Sequence, residues 1–135
     1  MAVIFMIVVL ALFAAFAVRL RAAGEQGAST ELLSARALFA ARAGLEFGMN
    51  QALSPPGAGT CAVHPMGAPG LSSTFTLTQS SLNGYTVTVA FNCTDHDIGG
   101  TAYRVFNLVS VATRGAYGAP DYASRTLTKV VTNAP

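Results

Sequence analysis

The chain has 135 residues, 52% of them hydrophobic and only 10% charged, with a formal net charge of +2. That length holds one domain. Its eight basic residues are scattered and form no clustered stripe, so a nucleic-acid surface is not suggested and no nucleic-acid partner is expected.

Residues 1–18, MAVIFMIVVLALFAAFAV, contain neither a charge nor a polar side chain, and Arg19 and Arg21 follow at once. A hydrocarbon core needs about 20 residues at 1.5 Å rise, so residues 1–21 read as the transmembrane half of an N-terminal helix. A secretory signal peptide fits less well, because no basic stretch precedes the run and AVRLRAAG is a poor small-residue cleavage site. No proline occurs between Arg21 and Pro55, so the helix is expected to continue through residues 22–53. Gly24, Gly27, Ser29 and Thr30 are soft spots in it, each glycine costing about 1 kcal/mol relative to alanine.

The second half of that helix is amphipathic. Leu38, Leu45, Met49 and Leu53 fall near heptad spacing and are expected to form the stripe that packs on a sheet. Arg42 and Glu46 are four apart and suited to a weak ion pair. Gly44 and Gly48, extended by Ala37, Ala40 and Ala41, make a pattern of small residues that lets another helix approach closely. These five are the expected helix–helix packing surface.

Residues 54–73 are dense in proline, glycine and small residues, which is loop composition, and they carry Cys61. The second cysteine, Cys93, lies in the strand region that follows. An even pair in a domain tethered outside a membrane reads as a disulfide, Cys61 to Cys93, and a zinc site lacks its four ligands at short spacing. Around Asn83-Gly84, a strong hairpin signal, apolar and polar residues alternate with period two. Phe75 and Leu77 share one face there, and Tyr85, Val87, Val89, Phe91 and Cys93 share another. A third strand over Ala102–Arg114 is apolar on both faces, as a central strand or a contact surface would be, and a fourth covers Arg125–Asn133. The whole reads as an α+β fold, in which a long N-terminal helix packs on a small antiparallel meander of residues 54–135.

Three constellations suggest chemistry and are read as structural. Asp95, His96 and Asp97 alternate acidic groups in an expected turn but fall short of the six to eight oxygens calcium takes. His64 lies three residues after Cys61, yet a thiolate nucleophile needs a lowered pKa and an orienting third group. Tyr103, Tyr117 and Tyr122 would form an aromatic patch only if the fold brought them together. No catalytic residue, metal or cofactor is expected.

The segment SARALFAARAGLEFGMNQAL, residues 34–53, behind an apolar run containing AVIFMIVVLAL, resembles a family. It is similar to the MSHA (mannose-sensitive haemagglutinin) pilus biogenesis proteins MshP and related minor pilins, within the type IV pilin-like proteins. The family pattern TRALxAAxxGLEWxxxQL is matched at Arg36, Ala37, Leu38, Ala40, Ala41, Gly44, Leu45, Glu46 and Gln51, with Phe47 in place of Trp. The resemblance covers about the first 55 residues. It implies a non-enzymatic minor subunit, stored in a bacterial inner membrane with its C-terminal domain periplasmic and then incorporated into an extracellular pilus. Its partners would be other pilin subunits and the inner-membrane assembly machinery.

Position 5 is Phe5, where most type IV pilins carry a glutamate. A subunit without that carboxylate suits a minor or tip position better than that of a bulk building block. A major filament-forming subunit and a membrane-tethered periplasmic binding domain are the rival readings. On this view Gly44 and Gly48 could both be exchanged for leucine with the domain left folded and assembly weakened.

Overall fold

The structure, a computed structural model, describes residues 2–54, 61, 71–79 and 81–134, with the side chains at 22, 23, 25 and 26 set aside. The chain divides into two units, Met1–Leu32 and Leu33–Pro135. One helix, α1 (Ala2–Leu53), supplies nearly all of the first unit and the helical layer of the second. The glycines at 24 and 27 do not interrupt its hydrogen-bonded pattern, because alanine and the long apolar residues around them favour helix strongly enough.

Among the described residues, nothing packs on the helix in the first unit. Residues Ala2–Arg21 form a segment long and apolar enough to cross a membrane, and its side chains are almost uniformly exposed. Val3, Ile4, Phe5, Leu10, Phe13 and Phe16 each present more than half of their surface.

The second unit joins Leu33–Leu53 of α1 to four strands, β1 (Ser72–Thr76), β2 (Thr86–Ile98), β3 (Thr101–Arg114) and β4 (Ala123–Thr132). They form one antiparallel sheet in the order β1-β2-β3-β4, the meander expected from the alternation. β3 lies between β2 and β4; one of its faces is in the core, and Val105, Val109 and Val111 on the other are half-buried. Core residues come from one pleat face: Tyr85, which leads into β2, and Val87, Val89, Phe91, Phe106 and Leu108 are all at most 1% exposed. Each such side chain removed from water is worth about 1.5–3 kcal/mol. The opposite face is built from Thr, Val, Ser and Asn; one cross-strand row runs Thr74, Thr88, Val111, Thr126, and a hydrogen bond of 3.0 Å joins the hydroxyls of Thr74 and Thr88.

The connections differ from the expected ones at two places. Asn83-Gly84 does not form a two-residue hairpin tip: β1 and β2 pair last at Thr76 and Thr86, and in the longer connection between them the Leu77 amide donates to the Tyr85 carbonyl at 2.9 Å. Asp95, His96 and Asp97 are not a turn, since β2 continues to Ile98 and the reversal falls on Gly99-Gly100. Both glycines have positive φ, 59° and 86°, which the tight two-residue turn demands and a side chain disfavours. The Asp97 carboxylate accepts from the Gly100 amide at 3.0 Å and steadies that turn. Most of the expected loop 54–73 lies outside the described residues; within it, Ser72 and Ser73 already belong to β1.

Candidate functional site

Two features of the second unit are candidates for function, the sheet-facing stripe of α1 with its exposed opposite side, and the disulfide with its surroundings. The stripe comes first because it reverses the expected division of labour. Ala37, Ala40 and Ala41 are fully buried, Ala52 is 2% exposed, and Gly44 and Gly48 are buried among them. Positions 37, 40, 41, 44, 48 and 52 share one helical face, and that face lies on the sheet. A Cβ added to Gly44 would collide with Ser110 Oγ and stand 2.5 Å from Val87 Cγ1. A Cβ on Gly48 would stand 3.0 Å from Val89 Cγ1. The five small residues expected to receive another helix therefore receive the domain's own sheet.

The physical reason is complementary size. The sheet supplies the bulk in Tyr85, Phe91, Phe106 and Leu108, so the helix must supply little for the backbones to approach and leave no void. Tyr85 reaches across this contact, and its hydroxyl donates to the Leu33 carbonyl at 2.8 Å. Ser110, fully buried beneath Gly44, has no hydrogen-bond partner for its Oγ among the described residues.

The large residues expected to pack on the sheet are divided. Leu45 is buried at 8% exposure and Met49 packs half-buried against the core. Leu38 is half-buried outside that core cluster, and Leu53 is 49% exposed, pointing away from the sheet. Leu53 lies eight residues after Leu45 and so falls about 80° round the helix from it, whereas Ala52, seven residues after Leu45, drifts by only about 20° and stays buried.

Beside Leu53, the exposed side of the helix carries Phe39 at 57% exposure, Arg42 and Glu46. No ion pair joins Arg42 to Glu46; the Arg42 guanidinium lies over the Phe39 ring, 6.0 Å from its centroid. Arg42 and Glu46 also line a shallow groove with Leu45, Leu127 and Lys129, where α1 borders β4.

The expected disulfide, Cys61 to Cys93, is present, with Cα atoms 5.7 Å apart. It ties the segment after α1 to the helix side of β2. In the chain-entropy description, closing a loop of that length contributes roughly 3 to 4 kcal/mol. The Cys61 amide also donates to Asp95 Oδ1 at 2.6 Å. Both sulfurs and the Asp95 carboxylate lie within 4.8 Å of one another, yet the bonded sulfurs leave only the carboxylate to a cation. His64 lies outside the described residues. His96 stacks on Tyr103 across the β2–β3 pair, with ring centroids 5.4 Å apart. Tyr117 and Tyr122 meet edge to face at 5.4 Å near the other end of β3, so the three tyrosines form no single patch.

Comparison with protein-family models, with curated proteins and with solved structures found no match.

Proposed function

We propose that the chain is a minor, type IV pilin-like structural subunit, held in a bacterial inner membrane through Ala2–Arg21 and incorporated into a pilus. One observation carries this reading: a single helix is apolar and unpartnered over a membrane-spanning length, then changes character to sit on a disulfide-tied antiparallel sheet. An apolar helix of this kind is stored in lipid and is equally suited to a bundle of like helices, because burial against either removes it from water at about 25 cal/mol per Å². The resemblance of residues 34–53 to the MshP-type minor pilins supports the same reading. So does the exposed side of the helix in the second unit, where Phe39 and Leu53 leave apolar surface for neighbouring subunits.

The reading separates from that of an anchored periplasmic domain by exchange of the apolar segment. Replacing Ala2–Val18 with an unrelated transmembrane helix of equal length would spare a protein that uses it as an anchor alone. For a filament subunit the exchange is expected to keep the chain in the membrane and remove it from sheared pili. Undiminished recovery in pili would overturn the proposal.

A further inference from the structure

We infer that Asp95 is the positioning residue of the Cys61–Cys93 disulfide, its carboxylate holding the Cys61 amide on β2 in the closed form and so favouring closure. This inference is independent of the filament reading. Cys93 and Asp95 are two apart on one strand, so both project from the same pleat face, the face that carries Val89 and Phe91 into the core. Cys61 meets that face twice. Its sulfur joins Cys93, and its backbone amide donates to the Asp95 carboxylate at 2.6 Å. Cys61 itself is 7% exposed and Asp95 is exposed, so the second contact seats a buried residue against a carboxylate at the edge of the core.

The consequence is chemical. A disulfide forms readily when its two thiols are kept at high effective concentration, and a second tether at the same residue does that without altering either sulfur. A hydrogen bond from an amide to a carboxylate is of the stronger, charge-assisted kind. It is made in full in the oxidised protein, where the bridge already seats Cys61. In the dithiol protein it is made only while Cys61 remains docked. Removing it therefore costs the oxidised form more than the reduced form and shifts the equilibrium toward the dithiol. Asp97, two residues further along the same face, bonds instead to Gly100 in the hairpin turn and provides a control of equal charge.

The test uses the full chain in detergent, equilibrated with mixtures of glutathione and glutathione disulfide. Each closure converts the two protein thiols and one glutathione disulfide into the protein disulfide and two glutathione thiols, so electrons and protons balance. The oxidised fraction is read by alkylation and mass spectrometry. Asp95→Ala is expected to lower the equilibrium constant for closure about tenfold, the size of one charge-assisted hydrogen bond. Asp95→Asn, which keeps an acceptor oxygen without the charge, is expected to fall between Asp95→Ala and the unaltered chain, and Asp97→Ala to leave the constant unchanged.

An Asp95→Ala constant within twofold of the unaltered chain would overturn the inference. So would an equal loss in Asp97→Ala, which would assign the effect to strand charge alone. Arg104 stands opposite Asp95 in the sheet register, and a role of Asp95 through the sheet would weaken both redox forms alike, leaving the constant unmoved and the inference refuted. If Asp95→Ala does not fold, Asp95→Asn carries the test: a constant equal to that of the unaltered chain then overturns it.

Discussion

Gly44 is the residue on which the second unit depends most visibly. In an isolated helix, alanine in its place would gain about 1 kcal/mol. Here the added methyl group has nowhere to go, because Val87 and Ser110 already occupy the space and both belong to the buried sheet face. Gly44→Ala is accordingly expected to destabilise the domain by about 1–3 kcal/mol, measured as the shift in the denaturant midpoint of the full chain in detergent. Gly27→Ala makes the contrast, since nothing lies within 4 Å of a Cβ there, and it is expected to lose no stability. A Gly44→Ala chain as stable as the parent would show that the helix does not lie as close to β2 and β3 as described. The same geometry reverses the expectation attached to the Gly44→Leu, Gly48→Leu pair, which now predicts an unfolded domain in place of a folded one that assembles poorly.

At the scale of the element, α1 shows what the sequence made legible and what it hid. The helix, the order of the four strands, the central place of β3 and the pairing of Cys61 with Cys93 all follow from local signals: an unbroken run without proline, period-two alternation, and an even number of cysteines in the expected compartment. The stripe of α1 did not follow, because small residues carry two meanings. Alanine and glycine at i, i+3 and i+4 permit close approach of any partner, and nothing local says whether that partner is a helix or a sheet. The missing information was the bulk on the other side: Tyr85, Phe91, Phe106 and Leu108 leave the helix no room for large side chains. Asn83-Gly84 misled for a related reason, since the pairing of Thr76 with Thr86 is set by the core face of β2 and overrides the turn preference of one dipeptide.

With the small residues committed to the sheet, the proposed filament role would leave contact with neighbouring subunits to the exposed side of the same helix. Phe39→Asp adds a charge where the side chain is 57% exposed, and is expected to change the stability of the isolated chain by no more than about 0.5 kcal/mol. In cells it is expected to lower recovery of the chain in sheared pili several-fold, read by immunoblot against the membrane-bound pool. Equal recovery would remove this face from the assembly surface.

At the scale of the whole molecule, the two units answer to different solvents. Residues Ala2–Arg21 present apolar side chains that nothing among the described residues covers, while the sheet and the last six turns or so of α1 enclose a buried core tied by a disulfide. By length and composition the first of these segments is suited to crossing a membrane. The most direct test is the molar ratio of this chain to the dominant pilin in filaments sheared from cells, by quantitative mass spectrometry. A reproducible trace ratio, well above that of unrelated inner-membrane proteins, is the expected result; complete absence from the filaments, or abundance equal to that of the dominant subunit, would contradict a minor pilin-like role.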